Sequence, residues 1–343
     1  MSAQIPETQQ AWMVMRKGEP KDALEIKTIA VPKPGPGQVL LKVEAAALNP
    51  IGYKIMRNIP NLFVSRPHIA EKDLAGTVVS TNNSTRFKPG DKVIGFLARV
   101  GKDTGALAQY IVAEEGNLAI RPDTLSVEEG AGLPLVACTS WICIFEIGKV
   151  EEGQHVFVNG GNSSVGITAI QMLKAHGCKV STSCSTKNID LVKKFGADVV
   201  YDYTTSPLPS QLSTINPPTP KFHFIIDAVG SWPLYYDSES YLAPGGLFIS
   251  PGSGLWGWSD FGRESWGFWN AFFRPTWMGG VRRNRPPYAI PNGERMDGIA
   301  DLATQGKLTV PIDSVFEWED VLKAYDRLVS KRAAGKIVVK IPA

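Results

Sequence analysis

The chain has 343 residues, too many for one ordinary hydrophobic core, so two domains are expected. With 43% apolar and 20% charged residues its composition is that of an ordinary soluble protein, and a net charge of +3 is too small to point to nucleic acid. No apolar run reaches membrane-spanning length, and Met1 to Gln10 is polar with Glu7 and no Lys or Arg, so no membrane partner and no signal or transit peptide is expected.

The first 125 residues read as β-rich. Pro32-Lys-Pro-Gly-Pro-Gly37 is a strong loop signal, and Val39 to Ala47 after it has strand character. Strands are also expected over 74–79, 92–95 and 110–112, with Pro89-Gly-Asp91 as the turn between the first two. Ser126-Val-Glu-Glu129 has the form of a capping box opening a helix. From 131 to about 250 apolar strands alternate with amphipathic segments, at 155–159, 179–184, 198–201, 223–227 and 246–250. That alternation implies βαβ units and a parallel sheet. Residues 252–290 hold five of the nine tryptophans: Trp256, Trp258, Trp266, Trp269 and Trp277. Such a stretch is either a packed interdomain seam or an aromatic wall over a substrate cleft. The basic run Arg282, Arg283, Arg285 reads as a solvated loop. Trp318 to Tyr325 reads as a helix, and Gly335 to Ile341 as a last strand returning to the N-terminal domain.

The cysteines Cys138, Cys143, Cys178 and Cys184 form no C-x-x-C pair, and the last two share one expected strand, where they cannot bridge. A reduced, cytoplasmic protein is the expectation. His68, His155, His176 and His223 are scattered and read as surface or packing residues rather than metal ligands.

The most informative stretch is Val156-Phe-Val-Asn-Gly-Gly-Asn-Ser-Ser-Val-Gly-Ile167. A buried strand runs into a Gly/Ser loop and then into an apolar-periodic helix. This is the arrangement that points backbone N–H groups and a helix N-terminus at a pyrophosphate. Against the G-x-G-x-x-G fingerprint, Gly161 and Gly166 fit and Ser163 takes the middle place. Ser163 is small enough to let a phosphate approach, and its hydroxyl can donate. A plain strand-to-helix turn is the simpler alternative. An NAD-type site carries an acid about 20 residues beyond the loop for the ribose 2′-hydroxyl. Here that place holds Cys184-Ser185-Thr186-Lys187, and no carboxylate appears before Asp190. A hydroxyl and a cation suit a 2′-phosphate. A solvated lysine on an ordinary loop is again the alternative.

Several segments, in order over nearly the whole chain, carry a resemblance. They are Ala46-Ala-Leu-Asn-Pro-Ile-Gly-Tyr-Lys54, Asp73-Leu-Ala-Gly-Thr-Val-Val79 with Phe87-Lys-Pro-Gly-Asp-Lys-Val-Ile-Gly95, Gly105 to Tyr110, Leu133 to Trp141, and Gly196-Ala-Asp198 with Tyr201-Asp-Tyr203. Together they resemble the zinc-free branch of the medium-chain dehydrogenase/reductase superfamily. That branch holds the zeta-crystallin-like quinone oxidoreductases and the fungal stand-alone enoyl reductases. The resemblance implies an α/β fold: a chaperonin-10-like β-rich domain (1–127 and 307–343) plus a Rossmann domain with a doubly wound parallel sheet (128–306), with the cofactor in the cleft between them. Where the zinc enzymes of the family place a Cys and a G-H-E segment, this chain has Ala45 to Asn49 and Lys72-Asp73-Leu74, so no zinc is expected. Gly52 stands where the branch has Asp.

The cofactor implied is NADPH, held by Gly160, Gly161, Asn162, Ser163, Ser164, Val165 and Gly166, by Ser185, Lys187 and Tyr203, and by Thr139, Val229, Gly230 and Gly252. Hydride delivery to an enone or quinone builds charge on an oxygen, and Asn49, Tyr53 and Lys54 are the expected donors to it. Three functions stand open. One is an NADPH-dependent reductase of an activated C=C bond or a quinone. The second is an NADPH-dependent aldehyde reductase, and the third a non-catalytic nucleotide- or partner-binding protein. The expected partner is a small-molecule substrate, and the expected state a monomer or homodimer.

Overall fold

The computed structural model describes residues 5–98, 104–213, 221–252 and 287–342, with single residues and short runs between 265 and 278. The chain divides into two compact units, residues 1–138 with 290–343, and residues 139–289.

The strands in chain order are β1 (Thr8–Val14), β2 (Leu24–Ala30), β3 (Gln38–Leu48), β4 (His68–Ile69), β5 (Asp73–Thr81), β6 (Lys92–Phe96), β7 (Tyr110–Glu114) and β8 (Leu118–Ile120). They continue as β9 (His155–Asn159), β10 (Lys179–Cys184), β11 (Val199–Asp202), β12 (Phe222–Asp227), β13 (Leu242–Ile249), β14 (Ile312–Phe316) and β15 (Lys336–Lys340).

The first unit is built on β3. This long strand pairs antiparallel with β5, β7 and β15, in a sheet ordered β14-β15-β3-β5-β6-β8. Two register shifts against β5, at Leu40/Leu41 and Val43/Ala45, bend it, as bulges do. Gly76 lets β5 approach β3, since a Cβ there would lie 2.4 Å from the Lys42 carbonyl oxygen. A smaller sheet, β2-β1-β4, packs its buried face into the same core, which includes Trp12, Val14, Leu41, Leu74, Tyr325 and Val339. The expected strands of this half are present, and β15 returns to β3 as expected. The β1–β2 pair is an addition that the sequence reading did not foresee. The capping box is present in full: Ser126 Oγ accepts from the Glu129 N–H at 3.1 Å, and Glu129 Oε2 accepts from the Ser126 N–H at 2.9 Å.

The second unit is a parallel five-stranded sheet in the order β11-β10-β9-β12-β13, the doubly wound arrangement. Every residue of β9 is buried, as a strand covered on both faces requires. Phe157, Phe222, Ile225, Tyr235, Tyr241 and Phe248 form a core cluster beside it.

At the ends of β3 and β5 the first unit buries a knot of polar side chains. Lys336, near the start of β15, donates from Nζ to Asn49 Oδ1 at 2.7 Å and to Asp73 Oδ2 at 3.0 Å. Asn49 Nδ2 donates to Asp73 Oδ2 at 2.9 Å, and the Leu135 N–H donates to Asp73 Oδ1 at 2.9 Å. Glu71 lies beside them. It accepts from the Tyr325 hydroxyl at 2.7 Å and from the Asn49 N–H at 3.2 Å. Burial raises both carboxyl groups above their ordinary range, and Glu71 is pushed up to about 7 against the pull of Tyr325, Lys336 and the Asn49 N–H, with the Asp73 charge adding to the rise.

A raised carboxyl keeps its proton longer in the fold than in the unfolded chain. Glu71 therefore favours the fold fully below about 4.5 and loses that contribution as pH rises through about 7. Glu71→Gln keeps an acceptor for the Asn49 N–H and cannot ionise. Its stability relative to wild type should improve as pH rises from about 5 to about 8, read by urea unfolding at each pH. A difference that stays flat or shrinks over that interval rejects the shift.

Candidate functional site

In the second unit β9 ends at Asn159, and the chain turns through Gly160 at φ +76°, in the left-handed region that suits glycine. A Cβ on Gly161 would lie 2.0 Å from Thr182 Oγ1, and one on Gly166 would lie 2.3 Å from the Gly160 carbonyl oxygen. The loop thus folds back tightly on itself and on β10. The helix Ser164–Ala175 follows. Ser163 is its N-cap: its hydroxyl donates to the Gly160 carbonyl at 2.7 Å and accepts from the Gly166 N–H at 3.0 Å. That corrects the expectation that the Ser163 hydroxyl would be available to a phosphate, because both its roles are taken by the loop. The N–H groups of Asn162, Ser164 and Val165 have no acceptor among the described residues. With the helix dipole behind them they form an anion-binding concavity.

Behind this loop a hydrogen-bond chain crosses three strands. Ser183 Oγ donates to Asn159 Oδ1 at 2.6 Å and accepts from the Gly160 N–H at 3.0 Å. Asn159 Nδ2 donates to Asp227 Oδ1 at 2.7 Å. Asp227 is wholly buried and accepts the N–H groups of Val229, Gly230 and Ser231 at 3.1, 3.0 and 2.6 Å. Burial raises its carboxyl, and Asn159 and the three amides oppose the rise. Gly230 sits at φ +85°, and Val229 stands half-exposed over Gly160. Gly252 packs against the backbone of Ala228, where a Cβ would meet the carbonyl carbon at 2.5 Å. The carboxyl ends of β9, β10 and β12, with the turn after β13, are therefore held as one edge.

The loop after β10 presents Ser185, half-buried, with Asn188 Nδ2 donating to its hydroxyl at 3.1 Å. Lys187 is exposed and makes no ion pair among the described residues. The Tyr203 N–H bonds to the Cys184 carbonyl at 3.2 Å, and Tyr203 is half-exposed. Asp202, at the end of β11, is occupied by the hydroxyls of Thr186 and Thr204. Thr139 is buried on the helix Pro134–Trp141. Its neighbour Ser140, which the sequence reading did not single out, donates to the Val165 carbonyl at 3.0 Å and pairs with Thr168 Oγ1 at 2.7 Å. It thereby ties that helix to the start of the Ser164 helix.

In the first unit, Asn49, Tyr53 and Lys54 lie at and within the helix Pro50–Asn58. Asn49 is buried, and its amide is committed to Ala47, Asp73 and Lys336. This corrects the expectation that it donates to a substrate; it fixes the helix start. Tyr53 is buried on the core side, which pushes its hydroxyl up, and that hydroxyl has no partner among the described residues. Burial, with Lys331 nearby, lowers the Lys54 ammonium. A hollow of about 30 Å³, room for a water or two, opens beside the helix, lined among others by Gly52, Met56, His68, Glu71, Thr104 and Tyr325.

Trp256, Trp258 and Trp266 lie outside the described residues. Trp269 accepts at its carbonyl from the Phe273 and Arg274 N–H groups, and Trp277 is exposed. Among the described residues no three of His, Cys, Asp and Glu converge as a metal site. Where the zinc enzymes carry their G-H-E segment, this chain has the ammonium of Lys72, which donates to the Ala98 carbonyl at 3.0 Å, so these residues do not fit a zinc ion.

Two family models match the chain: an alcohol dehydrogenase GroES-like domain over residues 35–123, and a zinc-binding dehydrogenase over 195–339. Trans-enoyl reductase pgmF of Aspergillus terreus is 34% identical over 99% of this chain and 98% of its own. A chloroplastic quinone-oxidoreductase homologue of Spinacia oleracea is 30% identical over 93% of this chain and 94% of its own. In fold, the quinone oxidoreductase of Coxiella burnetii superposes with a TM-score of 0.81 at 24% identity, over 98% of this chain and 100% of that one. A GroES-like β unit, a doubly wound nucleotide-binding sheet and relatives of this similarity along the whole length lead to one assignment: the chain belongs to the medium-chain dehydrogenase/reductase superfamily of oxidoreductases.

Proposed function

We propose that this protein is an NADPH-dependent reductase of an activated C=C bond or a quinone, working without zinc. One observation carries the cofactor reading. The Gly160–Gly166 loop offers three N–H groups at a helix start that have no acceptor among the described residues, and the loop after the next strand carries Ser185 and exposed Lys187 with no carboxylate of its own. The first feature suits a pyrophosphate and the second a 2′-phosphate. The substrate class is supported by the names of the relatives, trans-enoyl reductase and quinone oxidoreductase.

In this reading the second unit holds the dinucleotide. Asn162, Ser164 and Val165 hold its pyrophosphate, Ser185, Lys187 and Tyr203 its adenosine phosphate, and Thr139, Val229, Gly230 and Gly252 its nicotinamide side. Bound NADPH supplies a hydride. The first unit supplies Tyr53, whose hydroxyl has no partner among the described residues and can donate to the oxygen on which charge builds, and Lys54 as a cation close by. Asn49 keeps their helix in place. The protein acts on a small molecule as a monomer or homodimer in the cytoplasm.

The test is NADPH consumption with an enone, a quinone and an aldehyde, with product analysis. Turnover of the enone or quinone is expected. Turnover of the aldehyde alone, or of none, overturns the proposal. NADPH should bind at least about tenfold more tightly than NADH, the value of one charge-assisted contact. Lys187→Ala should weaken NADPH and leave NADH nearly unchanged; equal affinity for both cofactors in the wild type would count against the 2′-phosphate site. Metal analysis of untagged protein should find no stoichiometric zinc, and a chelator should leave turnover intact. One zinc per chain, with activity lost on its removal, would reverse the zinc-free assignment.

A further inference from the structure

The helix that carries Tyr53 and Lys54 begins without the usual local cap. Asn49 is its N-cap residue by backbone conformation, but its side chain makes no capping hydrogen bond and is turned into the Asp73–Lys336 knot. The first turn holds no acidic residue, and its third position is Gly52. In a capping box, the carboxylate of the third helical residue reaches back to the N-cap N–H and also faces the positive end of the helix.

Here that place is filled from elsewhere in the chain. Glu71, in the loop between β4 and β5, puts its carboxyl over Gly52, where a Cβ would lie 2.4 Å from Oε1. Its other oxygen accepts the Asn49 N–H at 3.2 Å. The Tyr325 hydroxyl, from the helix Val321–Val329, donates to Oε1 at 2.7 Å and fixes the carboxyl from the far side. Glu71 also adopts φ +58°, a backbone conformation that L side chains rarely take. A glycine would hold that conformation with less strain, so the carboxyl, rather than the backbone, explains the residue present.

We propose that Glu71 is a positioning residue that caps the Pro50–Asn58 helix in trans, taking the part a carboxylate at position 52 would play, and so fixes Tyr53 and Lys54. The consequence for turnover rests on the reductase reading above; the capping itself does not.

Hydrogen exchange of the amides from Tyr53 to Asn58 tests it. Glu71→Gly relieves the backbone and removes the carboxyl, so its exchange there should quicken about tenfold, the loss typical of a missing cap. Glu71→Gln should keep the protection, because its amide can accept from Asn49 and donate to Tyr325. Gly52→Asp alone should lose protection, since its Cβ meets Glu71. In the Glu71→Gly background the same change should restore protection, so the sign of its effect reverses. With an enone, Glu71→Gly should lower kcat severalfold and leave NADPH affinity unchanged. Wild-type exchange rates in Glu71→Gly, or no recovery in the double variant, would overturn the capping role whatever the activity shows. Absence of turnover in the wild type, with the exchange pattern as expected, would overturn the reductase reading alone.

Discussion

Lys336, Asp73 and Asn49 meet in the first unit at nearly full burial, and the ends of its three central strands depend on that meeting. Taking an ammonium and a carboxylate out of water costs several kcal/mol each, and their attraction offsets this only when the remaining donors and acceptors are satisfied. Here they are largely satisfied: both Asp73 oxygens accept, and the Asn49 amide bonds at both ends. The return is specificity of register. β15 is antiparallel to β3, with Ile337 opposite Leu48. A slip of one residue would turn Lys336 away and leave Asp73 buried without its counter-charge.

The second unit solves a similar problem with Asp227. Three successive backbone amides converge on its carboxyl, and Asn159 joins it to β9 and, through Ser183, to β10. In both units a buried acid at a strand terminus accepts backbone N–H groups of the segment packed beside it. The segments that follow are tied to those acids by hydrogen bonds.

Glu71 belongs to the same pattern at a different level of stability. It is poised near neutrality, held by one hydroxyl and one amide, and it sits in a strained backbone conformation. Asp73, by contrast, has a cation within hydrogen-bond distance. The two carboxyls stand two residues apart and divide the work: one locks the sheet, and the other faces the helix beside it.

The sequence by itself determined the class of each half and much of its geometry. β9 and β10 begin and end at 155–159 and 179–184 as read: β9 is a short apolar run ending at a glycine loop, and β10 is a run of small and β-branched residues after the Gly177 turn. The Ser126 capping box was legible because all its partners lie within four residues. The β1–β2 pair was not foreseen, since Leu24 to Ala30 is short and buries only one residue. Nor was the site's interior. Asn49 read as a free donor and Ser163 as a phosphate contact, yet both are spent inside the fold. Glu71 and Lys336 were not singled out, because nothing in the local sequence marks a charge as buried, and charged residues ordinarily lie at the surface. Their partners lie far along the chain, Tyr325 for Glu71 and Asp73 for Lys336. Local pattern records which elements form; which polar atom meets which is decided only when distant segments pack and exclude water.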